Sequence, residues 1–122
     1  MEKLDIKVLD SNNNILRIFS PLTDISEKGD YYFVRVNLPG VKKEDIKINM
    51  ETQVLIIEGL KEKPIYGSER KFHMIEREFG VFRRKIKFKE RIDCKNIVAI
   101  LKNGVLTVKL KKSKLNIKID IM

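Results

Sequence analysis

The sequence predicts an all-β protein, an immunoglobulin-like β-sandwich, and three observations carry the prediction. Apolar residues recur with a period of two along most of the chain. Turn-forming residues interrupt these runs about every ten positions. No segment shows a helical repeat strong enough to compete. With 122 residues the chain fits one domain, and a domain of this size buries roughly two-thirds of the surface its unfolded chain exposes.

The strands follow in order. Leu4, Ile6 and Val8 alternate, and residues 15–19 are largely apolar, so the first twenty residues read either as a hairpin-like arm or as a mobile end. In Tyr31 to Leu38, Tyr32, Val34, Val36 and Leu38 share one face. Pro39-Gly40 stops that strand, because proline donates no hydrogen bond and glycine tolerates turn geometry. Val41 to Asp45 reads as a polar loop. Ile46, Ile48 and Met50 then alternate with Lys47 and Asn49, and after a short turn the apolar run Val54 to Ile57 completes a hairpin. Lys61 to Arg70 is polar, contains Pro64 and Gly67, and forms a long connection. It leads to a short candidate strand, Phe72-His73-Met74-Ile75. Arg84, Ile86 and Phe88 alternate with basic residues in the next strand. Asn103-Gly104 separates Ile97–Leu101 from Val105–Leu110. An Asn-Gly pair between alternating runs marks a type I′ hairpin, whose two central residues both need positive φ.

Composition excludes several function classes. Cys94 is the single cysteine, so no intrachain disulfide forms. It fits a reducing cytosol and reads as a small buried or half-buried side chain. The single histidine, His73, lies in another segment, leaving no nucleophile–base pair or metal cluster. The 17 acids are scattered among lysines, and no glycine-rich phosphate loop occurs, so neither catalysis nor a cofactor is expected. The N-terminus carries acids from its second residue and does not read as a signal peptide. No run approaches the ~20 apolar residues of a membrane span. A cytoplasmic protein without a membrane partner is expected. The net charge of +9 is concentrated in the second half, where Arg83 to Lys89 is basic with interleaved apolar residues. This makes a nucleic-acid-binding β-domain the principal alternative. Against it stand the absence of tryptophan, the lack of a stacking motif, and the alternation that already explains Ile86 and Phe88 as core. No nucleic-acid partner is therefore expected.

Four segments, in order, resemble the α-crystallin domain of the small heat-shock proteins. They are Pro21-Leu22-Thr23-Asp24-Ile25-Ser26-Glu27; Leu38-Pro39-Gly40-Val41 with Lys43-Glu44-Asp45-Ile46; Glu76-Arg77-Glu78-Phe79-Gly80-Val81-Phe82-Arg83-Arg84; and Ala99-Ile100-Leu101-Lys102-Asn103-Gly104-Val105-Leu106. The tail Ile117-Lys118-Ile119-Asp120-Ile121 is similar to the family's I-x-I motif. The chain departs from the family pattern at Phe88-Lys89, where Leu-Pro is usual, and at Lys111-Lys112, where a proline usually follows the last strand. The resemblance divides the chain into an arm (1–20), an α-crystallin-type domain (21–111) and a tail (112–122).

It implies an ATP-independent chaperone that binds unfolding client proteins under heat stress and suppresses their aggregation, working as a homo-oligomer built from dimers. Dimerisation would place Phe72, His73, Met74 and Ile75 on the partner's strand at Asp24 and Ile25, with Arg84 at the interface paired to a carboxylate. The competing readings are a loop folded back on its own sheet and a solvated arginine. In assembly, Ile117, Ile119 and Ile121 share one face of an extended tail and would enter a groove lined by Ile48, Met50, Ala99 and Leu101 of a neighbour. The charged spacer Lys111-Lys112-Ser113-Lys114 is expected to solvate and detach the tail. Whether Ile117/Ile119 or Ile119/Ile121 docks is open. Clients would meet the arm residues Leu4, Ile6, Val8, Ile15, Leu16, Ile18 and Phe19. A monomeric CS-type co-chaperone domain shares the sandwich but is expected to lack both the isoleucine tail and the Asn-Gly-Val-Leu pattern.

Overall fold

The computed structural model describes residues 8–9, 15–16, 18–63, 67–74, 78–113 and 121. Among the described residues ten strands run in chain order: β1 (Val8–Leu9), β2 (Ile15–Leu16), β3 (Ile18–Phe19), β4 (Thr23–Lys28), β5 (Tyr31–Asn37), β6 (Ile46–Glu51), β7 (Val54–Lys61), β8 (Gly80–Lys87), β9 (Ile92–Lys102) and β10 (Val105–Lys112). β1 and β2 pair with each other, and the other eight form two four-stranded sheets, ordered β4-β5-β10-β9 and β3-β8-β7-β6. Every pairing is antiparallel except β3 with β8, where Ile18 lies opposite Val81 and Phe19 opposite Phe82. The all-β sandwich predicted from the period-two pattern is the observed fold.

The core lies between the two sheets. One sheet contributes Tyr32, Val34, Val36, Leu106, Val108 and Leu110; the other contributes Leu55, Ile57, Phe82 and Ile86. These are the alternate residues of their strands, as the pleat requires. Leu38, Val41, Phe88 and Ile92 close the ends. Val41 to Asp45 departs from the expected polar loop: Val41 is buried, and Lys43–Asp45 forms one turn of 3-10 helix. An apolar side chain at the start of the loop pins it to the core, and the short polar run behind it closes as a turn.

The Asn-Gly hairpin forms as predicted. Asn103 (φ 52°) and Gly104 (φ 75°) join β9 to β10. The Gly104 carbonyl accepts a hydrogen bond from Leu38 N–H at 2.7 Å, tying this turn to the end of β5. A Cβ on Gly104 would stand 3.1 Å from Pro39 Cα. Gly104→Ala should therefore cost about 1–2 kcal/mol from the left-handed backbone alone. The expected result is a lower urea midpoint with an unchanged m-value; an unchanged midpoint would remove this account of the turn.

Cys94 is exposed on β9, not buried or half-buried as its residue type suggested. The strand is the edge of its sheet, and along it Val98 (54% exposed) and Ile100 (59% exposed) also face outward. With a neighbour on one side only, an edge strand covers fewer of its side chains.

Candidate interaction groove and interfaces

Among the described residues, β6 and β9 are edges of opposite sheets. Together with β10 and the 3-10 turn they line a cavity of about 240 Å³, formed by Lys43, Ile46, Ile48, Ala99, Leu101 and Leu106. Alternation builds it. Ile46, Ile48 and Met50 are half-buried while Lys47, Asn49 and Glu51 face water. Ala99 lies opposite Val108, and Leu101 opposite Leu106, in the ladder between β9 and β10. The structure thus brings three of the four expected groove residues, Ile48, Ala99 and Leu101, to one apolar depression. Met50 packs against the core on the same strand and is not among the lining residues. Ile46, Leu106 and Lys43 belong to the cavity and were missed. Ile46 extends the same alternation and was legible; Lys43 arrives only through the 3-10 turn.

Of the tail isoleucines, Ile121 is 97% exposed, while Ile117 and Ile119 lie outside the described residues. The base of the tail differs from expectation. β10 continues through Lys112, and Lys111, Lys112 and Ser113 are half-buried rather than solvated. The Lys112 ammonium contacts the Glu27 carboxylate, lies 3.5 Å from Glu90 Oε2 and 3.2 Å from the Gly29 carbonyl, and stands 5.0 Å from the Tyr32 ring centroid. Hydrogen bonding to Glu27 is the largest influence on it. Together with the charges of both carboxylates it outweighs the opposing effect of burial and holds the Lys112 pKa above the ordinary lysine value. A raised lysine pKa favours the folded state at neutral pH, and that contribution fades only as pH climbs through the raised value. Burial, then the charges of Glu27 and Glu90, push the Tyr32 phenol up, so it stays protonated and donates to Glu90 at 3.2 Å.

The expected dimer residues fall on two regions. β4 is, among the described residues, one edge of its sheet, with β9 the other; Asp24 is exposed opposite Arg35, and Ile25 is 40% exposed opposite Val34. Phe72 (46% exposed), His73 and Met74 (73% exposed) are uncovered and form no strand, contrary to the short strand predicted there; Ile75 lies outside the described residues. Arg84 sits on the inward row of β8 between Phe82 and Ile86, half-buried rather than solvated, and its Nη1 donates to Ser20 Oγ at 2.8 Å.

The expected client-binding residues are divided. Leu4 and Ile6 lie outside the described residues. Val8 is in β1, and Ile15 and Leu16 are in β2. Ile18 and Phe19 are half-buried, and the Phe19 ring centroid is 5.9 Å from that of Phe82, so Phe19 is committed to the fold. No group of three metal-ligating side chains occurs among the described residues, and no helix among them is long and apolar enough to cross a membrane.

Comparison with known proteins agrees with this architecture. The chain is 37% identical over 101 residues to small heat shock protein C4 of Rickettsia felis, covering 83% of this chain and 60% of that protein. It is 40% identical over 103 residues to heat shock protein 16 of Schizosaccharomyces pombe, covering 83% and 72%. It therefore spans about three-fifths of the length of the Rickettsia relative. The solved structure of heat shock protein 16.0 from Schizosaccharomyces pombe superposes with a TM-score of 0.72 at 37% identity, over 85% of this chain and 99% of that one. This is a family of chaperones rather than enzymes. The family model for the Hsp20/alpha crystallin family matches residues 24–121, and the chain belongs to that family.

Proposed function

We propose that the protein is an ATP-independent chaperone that holds unfolding proteins and suppresses their aggregation under heat stress, acting as a homo-oligomer of dimers. The observation that carries this reading is the apolar cavity between β6 and β9, edge strands among the described residues, combined with an isoleucine-bearing tail. A tail of alternating isoleucines from another subunit fits such a groove. Its backbone adds along an edge while Ile117 and Ile119, or Ile119 and Ile121, fill the depression. Each buried isoleucine contributes about 1.5–3 kcal/mol before ordering costs, which suits a contact that loosens on heating and frees apolar surface for clients. Dimers form where residues 72–75 of one subunit add to the β4 edge of another and pair there as a strand. The arm (1–20), domain (21–111) and tail (112–122) supply client contact, scaffold and linkage. The lone cysteine supports action in a reducing cytoplasm.

The test is a chain ending at Lys114, alongside Ala99→Arg, which adds a charged side chain to the groove lining without touching the tail. Both should shift the mass measured by light scattering from a large assembly to dimers. Both should also reduce suppression of heat-induced aggregation of a model client. Truncation that leaves the mass unchanged would sink the tail reading.

A further inference from the structure

The base of the tail is held by more charge and hydrogen bonding than a flexible linker needs. Two backbone bonds pin it: Lys112 N–H donates to the Asp30 carbonyl at 2.7 Å, and Ser113 N–H donates to the Arg91 carbonyl at 2.8 Å. These attach the end of β10 to the β4–β5 turn on one side and to the segment entering β9 on the other. The Lys112 side chain then spans the same gap. Its ammonium meets Glu27 of β4, Glu90 of the β8–β9 link and the Gly29 carbonyl, over the face of Tyr32 of β5. Tyr32 in turn donates to Glu90, which orients that carboxylate. The lysine side chain is only 14% exposed, whereas Glu27 and Glu90 are 51% and 49% exposed. The lysine side chain is therefore the most covered of the three charged groups, while its carboxylate partners remain open to ions.

We propose that Lys112, gripped by Glu27 and Glu90 across the Tyr32 ring, is an ionic lock that fixes the direction in which the tail leaves the domain and so selects the geometry of assembly. The proposal rests on the reading of the tail as a linker between subunits. A tail leaving in one direction reaches grooves at one spacing and angle. A tail released at its base reaches many, and closed assemblies of several sizes become accessible. The grip also joins the tail to β4, the strand at which the proposed dimer forms, so that dimer edge and tail base move as one body.

Sedimentation velocity of the full chain tests this. Wild type at low salt should give a narrow size distribution. Lys112→Met should broaden it at least about twofold or split it into several species, because the freed tail samples more docking angles. In about 1 M NaCl, where the Debye length is roughly 3 Å, wild type should broaden similarly and Lys112→Met should change little further. Glu27→Gln combined with Glu90→Gln opens the lock from the acidic side and should reproduce the broadening, which covers the case of a poorly folding Lys112→Met. The chain ending at Lys114 separates the two readings. If it collapses to dimers while both lock variants sediment like wild type, the lock is overturned and the tail reading stands. If it leaves the mass unchanged, the tail reading fails and the lock fails with it. Broadening that persists in lock variants lacking the tail would place the effect elsewhere and overturn the lock alone.

Discussion

Phe82→Ala should lose about 3–5 kcal/mol of stability, the range for removing a fully buried aromatic side chain. Phe82 is the largest fully buried side chain among the described residues and lies at 0% exposure. It sits in β8, faces Gly59 of β7 across the ladder, and packs its ring against Phe19 of β3. It therefore joins three strands of one sheet and the core beneath them, and truncation leaves a void that the sheet cannot close by a local shift. Against a total stability of roughly 5–15 kcal/mol for a small domain, this loss brings the chain near its folding threshold. Urea denaturation at one fixed protein concentration reads it, since assembly stabilises the folded subunit by mass action. Phe82→Leu, which keeps most of the volume, should recover more than half the loss. Equal loss in both variants would show that the ring's shape, not its bulk, is what the site requires.

Gly59→Ala should cost nearly as much although it adds a single methyl group. A Cβ at this position would lie 2.0 Å from the Asp45 carbonyl oxygen and 2.6 Å from the Phe82 ring. The ring could tilt; the carbonyl belongs to the backbone of the 3-10 turn and cannot yield without moving the start of β6. Overpacking of this kind costs typically about 1–3 kcal/mol, and a backbone clash belongs at or above the top of that range. Because β6 is one wall of the groove, the damage should also be functional. Thermal melting should fall sharply, and the surviving folded protein should assemble less completely than wild type at the same temperature. A variant with wild-type melting and wild-type mass would contradict the close approach of these backbones. Gly67, by contrast, has open space around its Cβ direction, and Gly67→Ala serves as the neutral control.

The groove shows how far local pattern reaches. Ile48, Ala99 and Leu101 were identifiable because each belongs to an alternating run and because the flanking motifs resemble those of a known domain. Their meeting in one cavity depends on the two sheets stacking with β6 and β9 on the same side, which no local window encodes. The lysine pair after the last strand was misjudged for a similar reason. Lys111-Lys112-Ser113-Lys114 has the composition of a solvated spacer, yet Lys112 is claimed by carboxylates 85 and 22 positions away in sequence. The contact of Phe19 with Phe82 is equally beyond a local window, since it depends on a short parallel pairing that brings β3 beside β8.

The sequence by itself determined the sandwich, the faces of its strands, the Asn103-Gly104 hairpin and the family, because alternation and turn chemistry are properties of a few consecutive residues. Only the tertiary structure decided which strands form the sheet edges among the described residues, that Gly59 can carry no side chain, and that Lys112 at the end of β10 meets Glu27 and Glu90. Those outcomes depend on contacts between distant segments, and their free energies are set by where the crossovers bring backbone and charge together.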